Sequence, residues 1–230
     1  MAGIHDKHRE RVRKEFLNRG FNENTPEHKM LEMLLFYGIP RKDTNELAHI
    51  LINRFGSLAG IFEANASELM EIDGIGENTA ALLKLILPLA GAYERNKLKK
   101  NTKFKDTDEV FEYFSKRYYG ITNEVFSVLS FDSAGRVCGF DFLSSGDIAS
   151  VGITSRMVME TVLRHKATSV IIAHNHPCGS LLPSREDLII TQKIADALRQ
   201  VNILLSDHLI IGDGDYVSLW LSEEYAYLFK

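Results

Sequence analysis

Residues 169–187 constrain the fold of this chain more than any other stretch. They begin with the apolar run 170–173, whose β-branched and small side chains predict a buried strand. His174 and His176 follow this run, and Pro177 predicts the end of the strand. Because side chains two residues apart on an extended chain point to the same face, the two imidazoles can converge on one point.

A helix predicted to begin at Ser184 adds a carboxylate to this stretch. Pro183 and Ser184 precede a segment with helical spacing of apolar residues, and Asp187 falls in its first turn. Two imidazoles and one carboxylate make three protein ligands, the number that leaves a tetrahedral Zn²⁺ one open position for water. The pattern therefore indicates a catalytic zinc site rather than a structural one.

Two simpler interpretations of these residues stay open. Histidine pairs also occur as loop residues at strand ends, and Ser-x-x-Asp before an apolar run is a capping box that stabilises any helix N-terminus. A nucleoside deaminase is excluded, because His176 stands where that chemistry needs Glu, and Leu181 stands where a second Cys would follow Cys178.

The spacing of these residues is similar to that of a known enzyme motif. The order H-x-H, then residues 177–183, then S-x-x-D, resembles the JAMM (MPN) metalloprotease motif. The closer similarity is to its bacterial RadC branch, through H-N-H-P-x-G, P-S-R-x-D and a D-H-L-I-I-G-D segment that begins at Asp207. The resemblance implies a C-terminal α/β/α domain of JAMM/MPN-like (cytidine-deaminase-like) fold, with a mixed sheet that carries helices on both faces. It also implies one Zn²⁺ per chain, held by His174, His176 and Asp187.

The resemblance further implies a catalytic carboxylate upstream of the histidines. Glu124 matches both the location, where the first strand of the domain begins, and the E-x-F-x-x-L pattern of RadC chains. We predict that Glu124 is the acid/base. The rival is Glu160, which is otherwise an ordinary carboxylate on a helix face. Ser184 would donate its hydroxyl to the oxyanion of a tetrahedral intermediate.

Two further side chains of this region have open roles. His208, which the sequence places at the start of the last strands, could be a fourth ligand, although we expect a hydrogen bond to a ligating residue instead. Cys178 stands where RadC chains commonly have serine. It could be a stray ligand, an oxidation point or a loop residue without a role, and we favour the last.

Residues 1–95 predict a small all-α domain. Within 67–89, two helices flank the turn Asp73-Gly74-Ile75-Gly76, a pattern typical of a helix-hairpin-helix module. In such a module, Gly74 and Gly76 would let backbone amides approach a phosphate of nucleic acid. RadC chains resemble this arrangement too. The same hairpin can be a plain packing unit, and three acidic side chains near the turn oppose phosphate binding.

A basic linker is predicted at 96–106, before the second domain at 107–230. Its lysines include Lys99, Lys100 and Lys103. They could contact DNA, or they could be solvated side chains of an exposed linker.

Composition and charge limit the classes of protein to which this chain can belong. The net charge is −4, and because residues 1–120 carry 19 Lys and Arg against 18 Asp and Glu, the acidic excess lies in the remainder. Two cysteines do not describe a disulfide framework. The longest apolar run, 82–93, is broken by Lys84 and Pro88 and is too short to span a bilayer, and the N-terminus has no leader pattern. We therefore expect a cytoplasmic protein without a membrane partner.

The leading functional hypothesis is a Zn²⁺-dependent hydrolase of the JAMM type that acts on a peptide or isopeptide bond. The alternative is a DNA-associated repair or recombination protein, in which the hairpin and linker dock on nucleic acid and the metal site is structural or vestigial. A metal-dependent nuclease is compatible with the hairpin, but the sequence lacks the carboxylate-rich pattern of a two-metal site.

Overall fold

The computed structural model describes residues 4–40, 42–98, 102–143, 153–177, 179–212 and 214–229. The chain divides into two compact units, Met1–Ala90 and Gly91–Lys230, and one helix runs across the division. The sequence places the first domain limit at residue 95 and the second at 107, and these limits stay predictions.

The N-terminal unit is built from helices. They are α1 (Ile4–Arg19), α2 (Glu27–Gly38), α3 (Asn45–Phe55), α4 (Leu58–Glu63), α5 (Ala66–Met70) and the first part of α6 (Glu77–Asn96). Apolar residues of α2 to α6 meet in one core, in which Leu31, Leu51 and Leu83 are fully buried. The Arg9 side chain of α1 donates to the carbonyl of Ile39 at 2.7 Å, which satisfies one acceptor at the end of α2. Among the described residues, no helix has both the length and the apolar character that crossing a membrane would need.

The C-terminal unit is a mixed sheet with helices. Its elements are α7 (Thr107–Tyr118), β1 (Phe126–Phe131), β2 (Val137–Phe142), α8 (Ser155–His165), β3 (Ser169–Asn175), α9 (Arg185–Arg199), β4 (Leu204–Gly212), β5 (Asp215–Ser218) and a 3₁₀ turn, Ala226–Phe229. Within the described residues the strand order is β2-β1-β3-β4-β5, in which β3 and β4 are parallel and the other pairs antiparallel. The predicted α/β class, a mixed sheet preceded by helices, is confirmed.

Helices cover both faces of this sheet. On one face, Val162 of α8 and Ile194 of α9 pack against Ile172 of β3. On the other face, Phe114 of α7 packs in the cluster that contains Leu129 of β1. Because both faces are covered, every residue of β1 is buried, as in the central strands of α/β domains.

The turn composition of residues 132–135 predicts a hairpin, and the structure has it between β1 and β2. Asp132 accepts the N–H groups of Ala134 and Arg136 through Oδ1, both at 2.9 Å. Gly135 has a φ of +70°, a left-handed conformation that favours glycine. Local side-chain bonds of this kind are what turn composition indicates in a sequence.

One edge of the sheet gathers the residues that the sequence singles out. Phe126 at the start of β1 lies opposite His174, and Ile210 of β4 lies on the other side of His174. The predicted position of His208, at the start of the last strands, is wrong, because His208 and its neighbour Asp207 both lie inside β4. Both side chains are buried with hydrogen-bond partners from other elements, and such partners allow polar residues inside a strand.

Part of the predicted linker packs on the C-terminal unit. The ring centroid of Phe104 lies 5.4 Å from that of Tyr113, in an edge-to-face contact. The next residue towards the N-terminus, Lys103, is exposed. Lys99 and Lys100 lie outside the described residues. The described part of the linker is therefore not a free arm.

Candidate metal centre

The end of β3 brings His174 and His176 together. Their Nε2 atoms are 3.0 Å apart, and the His174 side chain is almost completely buried. His176 is one residue beyond β3, but its N–H still donates to the carbonyl of Ile211 in β4, at 2.8 Å. The extended backbone thus continues through both histidines, and both rings point to the same face.

The first turn of α9 adds the Asp187 carboxylate. Its Oδ1 lies 3.2 Å from Nε2 of His174, and its Oδ2 lies 3.7 Å from Nε2 of His176. Burial by itself raises the pKa of this carboxyl. The contact with His174, together with hydrogen bonds from Ser184, outweighs burial and holds the pKa of this carboxyl below its ordinary value. The group is therefore a carboxylate at neutral pH.

A capping box holds this carboxylate in place. The N–H and the hydroxyl of Ser184 both donate to Oδ2 of Asp187 at 2.7 Å, and the N–H of Asp187 donates to Oγ of Ser184 at 3.1 Å. The capping interpretation and the ligand interpretation therefore apply to the same residue. The single hydroxyl hydrogen of Ser184 points to Asp187, so an oxyanion could receive it only after it turns away.

A hydrogen bond on its far side fixes the proton position of His176. Its Nδ1 lies 2.7 Å from the carbonyl oxygen of Ser180. Because a carbonyl only accepts, Nδ1 carries the hydrogen and the neutral ring keeps a lone pair on Nε2.

His174 is fixed by a longer hydrogen-bond chain. The Thr191 hydroxyl donates to the carbonyl of Asp187, so its oxygen accepts Nδ1–H of His208, at 2.6 Å. Burial lowers the pKa of His208 well below its ordinary value, so this ring is neutral. Its Nε2 therefore accepts Nδ1–H of His174 at 2.8 Å, which leaves the lone pair of His174 on Nε2.

The resulting donor set fits a metal ion. Two unprotonated nitrogens and one carboxylate converge, and two lone pairs 3.0 Å apart repel each other unless a cation lies between them. Ligand atoms about 2.0–2.1 Å from a tetrahedral ion lie roughly 3.3 Å from one another. The three separations found, 3.0, 3.2 and 3.7 Å, lie around that value. The chemistry of these donors suits a borderline divalent ion.

Glu124 lies beside this donor set. Among the described residues, one carboxylate oxygen of Glu124 and one ring nitrogen of each of His174 and His176 lie within 4.8 Å of one another. Its rival, Glu160, lies on α8 and pairs with Nε of Arg156 at 2.8 Å on an exposed helix face. The structure therefore brings Glu124, and not Glu160, into the group with the two histidines.

Two residues of this region escaped the sequence analysis. Thr191 lies one turn after Asp187 on α9, and helical spacing could have found it. Gly212 ends β4, and a Cβ there would lie 2.9 Å from the carbonyl oxygen of Gly179. Only glycine lets the loop after His176 approach this closely, and a glycine in a strand is a known sign of such an approach.

The predicted nucleic-acid residues lie apart in sequence from this group. Gly74 has a φ of +92°, whereas Gly76 has no left-handed φ and no atom within 4 Å of an added Cβ. The open space at Gly76 leaves room for the predicted approach of a phosphate. Glu71, close to the turn, forms an ion pair with Arg54. DNA contact by this turn stays a prediction. Cys178, in the loop after His176, lies outside the described residues.

The sheet order, the covering helices and the histidines beside the first turn of a helix define the C-terminal unit as a domain of the JAB (JAMM/MPN-like) class. The RadC-like JAB domain family matches residues 104–225, and the chain belongs to the RadC family.

Its relatives align over nearly their whole lengths. A UPF0758 protein of Fusobacterium nucleatum subsp. nucleatum is 34% identical, over 92% of this chain and 94% of the relative. UPF0758 proteins of Shewanella pealeana and Shewanella halifaxensis are each 33% identical, over 91% and 90% of this chain and 92% and 91% of the relatives. The predicted family membership is confirmed.

Proposed function

We propose that this chain is a zinc-dependent hydrolase that cleaves an amide bond of the peptide or isopeptide type. The observation that supports the proposal is the convergence of three possible ligand groups, from His174, His176 and Asp187, beside the Glu124 carboxylate. Three protein ligands leave one tetrahedral position open, as in catalytic zinc sites.

The residues around this point have distinct roles in the proposal. Zn²⁺, when bound, supplies Lewis acidity that polarises a carbonyl and activates water at neutral pH. Glu124 takes a proton from the attacking water and delivers it to the leaving amine. Ser184 turns its hydroxyl from Asp187 to the developing oxyanion. His208 and Thr191 keep the lone pair of His174 on Nε2.

The number of carboxylates favours an amide over a phosphodiester as the substrate, and the exposure of Glu124 gives a substrate access to the base. Glu124 is exposed whereas His174 is buried, so a substrate can reach the base while the ligand stays shielded from water. Two-metal nucleases need additional carboxylates to hold a second ion. Glu124 and Asp187 are the two carboxylates that the described residues place beside the histidines.

Metal content tests the proposal most directly. We expect about one zinc per chain in the wild type, purified without added zinc, and its loss in Asp187→Ala. Asp196→Ala is the matched control, because Asp196 lies on the same helix and pairs with Arg199 on the surface. Wild type loaded with zinc is then assayed on peptide and isopeptide substrates, with His176→Ala as the inactive reference.

The alternative function has the opposite set of outcomes. If no variant holds zinc even after it is supplied, and duplex or single-stranded DNA binds in a salt-dependent way to wild type and His176→Ala alike, the chain is a DNA-associated protein. Neutralising Lys99, Lys100 and Lys103 would then weaken that binding.

A further inference from the structure

Asn175, the residue between the two histidines, contacts the chain on both sides of Glu124. Its Oδ1 accepts the N–H of Val125 at 2.8 Å, and its Nδ2 donates to the carbonyl of Asn123 at 3.1 Å. The side chain is buried at 9% exposure. Both polar ends of one amide are thus bound to the two peptide groups that flank Glu124.

These bonds replace backbone pairing where the sheet ends. The last backbone pair between β1 and β3 is Phe126 with His174, and the next pair in register would be Val125 with Asn175. There the side chain of Asn175, rather than its backbone, takes the Val125 N–H. The chain can therefore leave the strand at Glu124 and still be held by the ladder that carries the metal-site histidines.

We propose that Asn175 is a positioning residue that holds Glu124 beside the metal site. The inference rests on the proposed function, in which Glu124 is the acid/base. Asparagine suits this role because it offers an acceptor and a donor on one short side chain. Aspartate would keep the acceptor for Val125 but would place an oxygen against the carbonyl of Asn123.

The first test needs no substrate. In Asn175→Ala we expect the amide hydrogen of Val125, followed by NMR, to exchange at least about tenfold faster, because its buried acceptor is lost. Asn175→Asp keeps that acceptor and should restore exchange to within about threefold of wild type. In Thr122→Ala, an exposed change in the same segment, the Val125 amide hydrogen should exchange as fast as in the wild type.

The second test follows the metal and the carboxylate separately. Zinc affinity of Asn175→Ala, measured by chelator competition, should stay within about threefold of wild type, since the three ligands are intact. The ¹³C carboxyl resonance of Glu124, assigned by its absence in Glu124→Gln, should shift on addition of Zn²⁺ to the wild type. In Asn175→Ala this shift should be lost.

Kinetics supply the third test once a substrate is found. Asn175→Ala should lower kcat by about 10- to 100-fold with KM unchanged, because a small displacement of a catalytic group costs rate rather than binding. In a Glu124→Ala background the same change should have no further effect.

Three results would overturn the inference. They are unchanged Val125 exchange, a retained Glu124 response to Zn²⁺, and a zinc affinity that falls more than about tenfold, which would show that Asn175 supports the histidines instead. If no substrate is cleaved but the exchange and resonance tests succeed, the proposed activity fails while the positioning of Glu124 stands.

Discussion

Nδ1 of His174 lies 2.8 Å from Nε2 of His208, and this contact joins two parallel strands beneath the metal site. The chain of hydrogen bonds continues through Thr191 to the main-chain carbonyl of Asp187. Two predicted ligands from different elements are thus the two ends of one buried network. The proton arrangement of His174 depends on every member of it.

Removing His208 should weaken metal binding without removing a ligand. In His208→Ala the Nδ1 of His174 loses its partner, so we expect about 10- to 100-fold lower zinc affinity, measured by chelator competition. His165→Ala is the control, because His165 bonds Ser130 and Asp141 elsewhere in the domain. Unchanged affinity in His208→Ala would show that the network does not orient His174.

Glu124→Gln should separate metal binding from catalysis. The variant keeps the three ligands, so zinc content should equal that of wild type, while hydrolysis should fall by about 10²- to 10⁴-fold because the proton acceptor is lost. Both are measured on one preparation, by elemental analysis and initial rates. Glu160→Gln should behave like wild type. If hydrolysis fell in Glu160→Gln and not in Glu124→Gln, Glu160 would be the base. If Glu124→Gln lost zinc, Glu124 would be a ligand.

Asp207 should make stability depend on pH. Burial raises its pKa to about 6, although hydrogen bonds from Ser218, Trp220 and His208 oppose the rise. Between the unfolded value near 3.9 and about 6, the folded state binds the proton more tightly, so the free energy of unfolding falls as pH rises. Between pH 4 and 7, we expect the free energy of unfolding of the wild type to fall by about 2–3 kcal/mol relative to that of Asp207→Asn.

Urea unfolding of the metal-free proteins at several pH values measures this difference. Asn can accept both N–H groups on Oδ1 and donate to Ser218, so the variant should fold. Asp196→Asn, an exposed change on α9, should follow the wild type at every pH. A difference between wild type and Asp207→Asn that does not vary with pH would contradict the assignment.

Gly212→Ala should disturb the loop that follows His176. The added Cβ would meet the carbonyl oxygen of Gly179 at 2.9 Å, so the backbone must move. We expect a stability loss of about 1–3 kcal/mol by urea unfolding, with weaker zinc binding because His176 is displaced. Gly76→Ala should cost far less, since an added Cβ there meets nothing within 4 Å. Equal zinc affinity in Gly212→Ala and wild type would show that the loop can adjust.

Local patterns in the sequence were sufficient to predict the elements that carry the site. The apolar run of β3, the Asp132 turn and the Ser184 cap each depend on neighbours within a few residues, and the structure has all three. The position of His208 was mispredicted because its partners, His174 and Thr191, lie 34 and 17 residues away. A polar residue in a strand looks like a strand end until such partners are known.

The contacts of Asn175 were beyond sequence analysis for the same reason. Its partners Asn123 and Val125 lie 52 and 50 residues upstream, and only the pairing of β1 with β3 brings them close. The likeness to RadC chains supplied Glu124, but residue spacing alone offered no reason to prefer it over Glu160.

The capping box at the start of α9 has a consequence for the order of events in assembly. The bonds that stabilise the first turn of this helix are the bonds that aim Asp187, so the carboxylate is set when the helix forms. Zinc fingers order their ligands only as the ion arrives, and chelators unfold them. Here the capping box would already hold the ligand in place before zinc binds, so little conformational entropy would be lost on binding. A chelator should therefore remove the zinc ion without unfolding the domain.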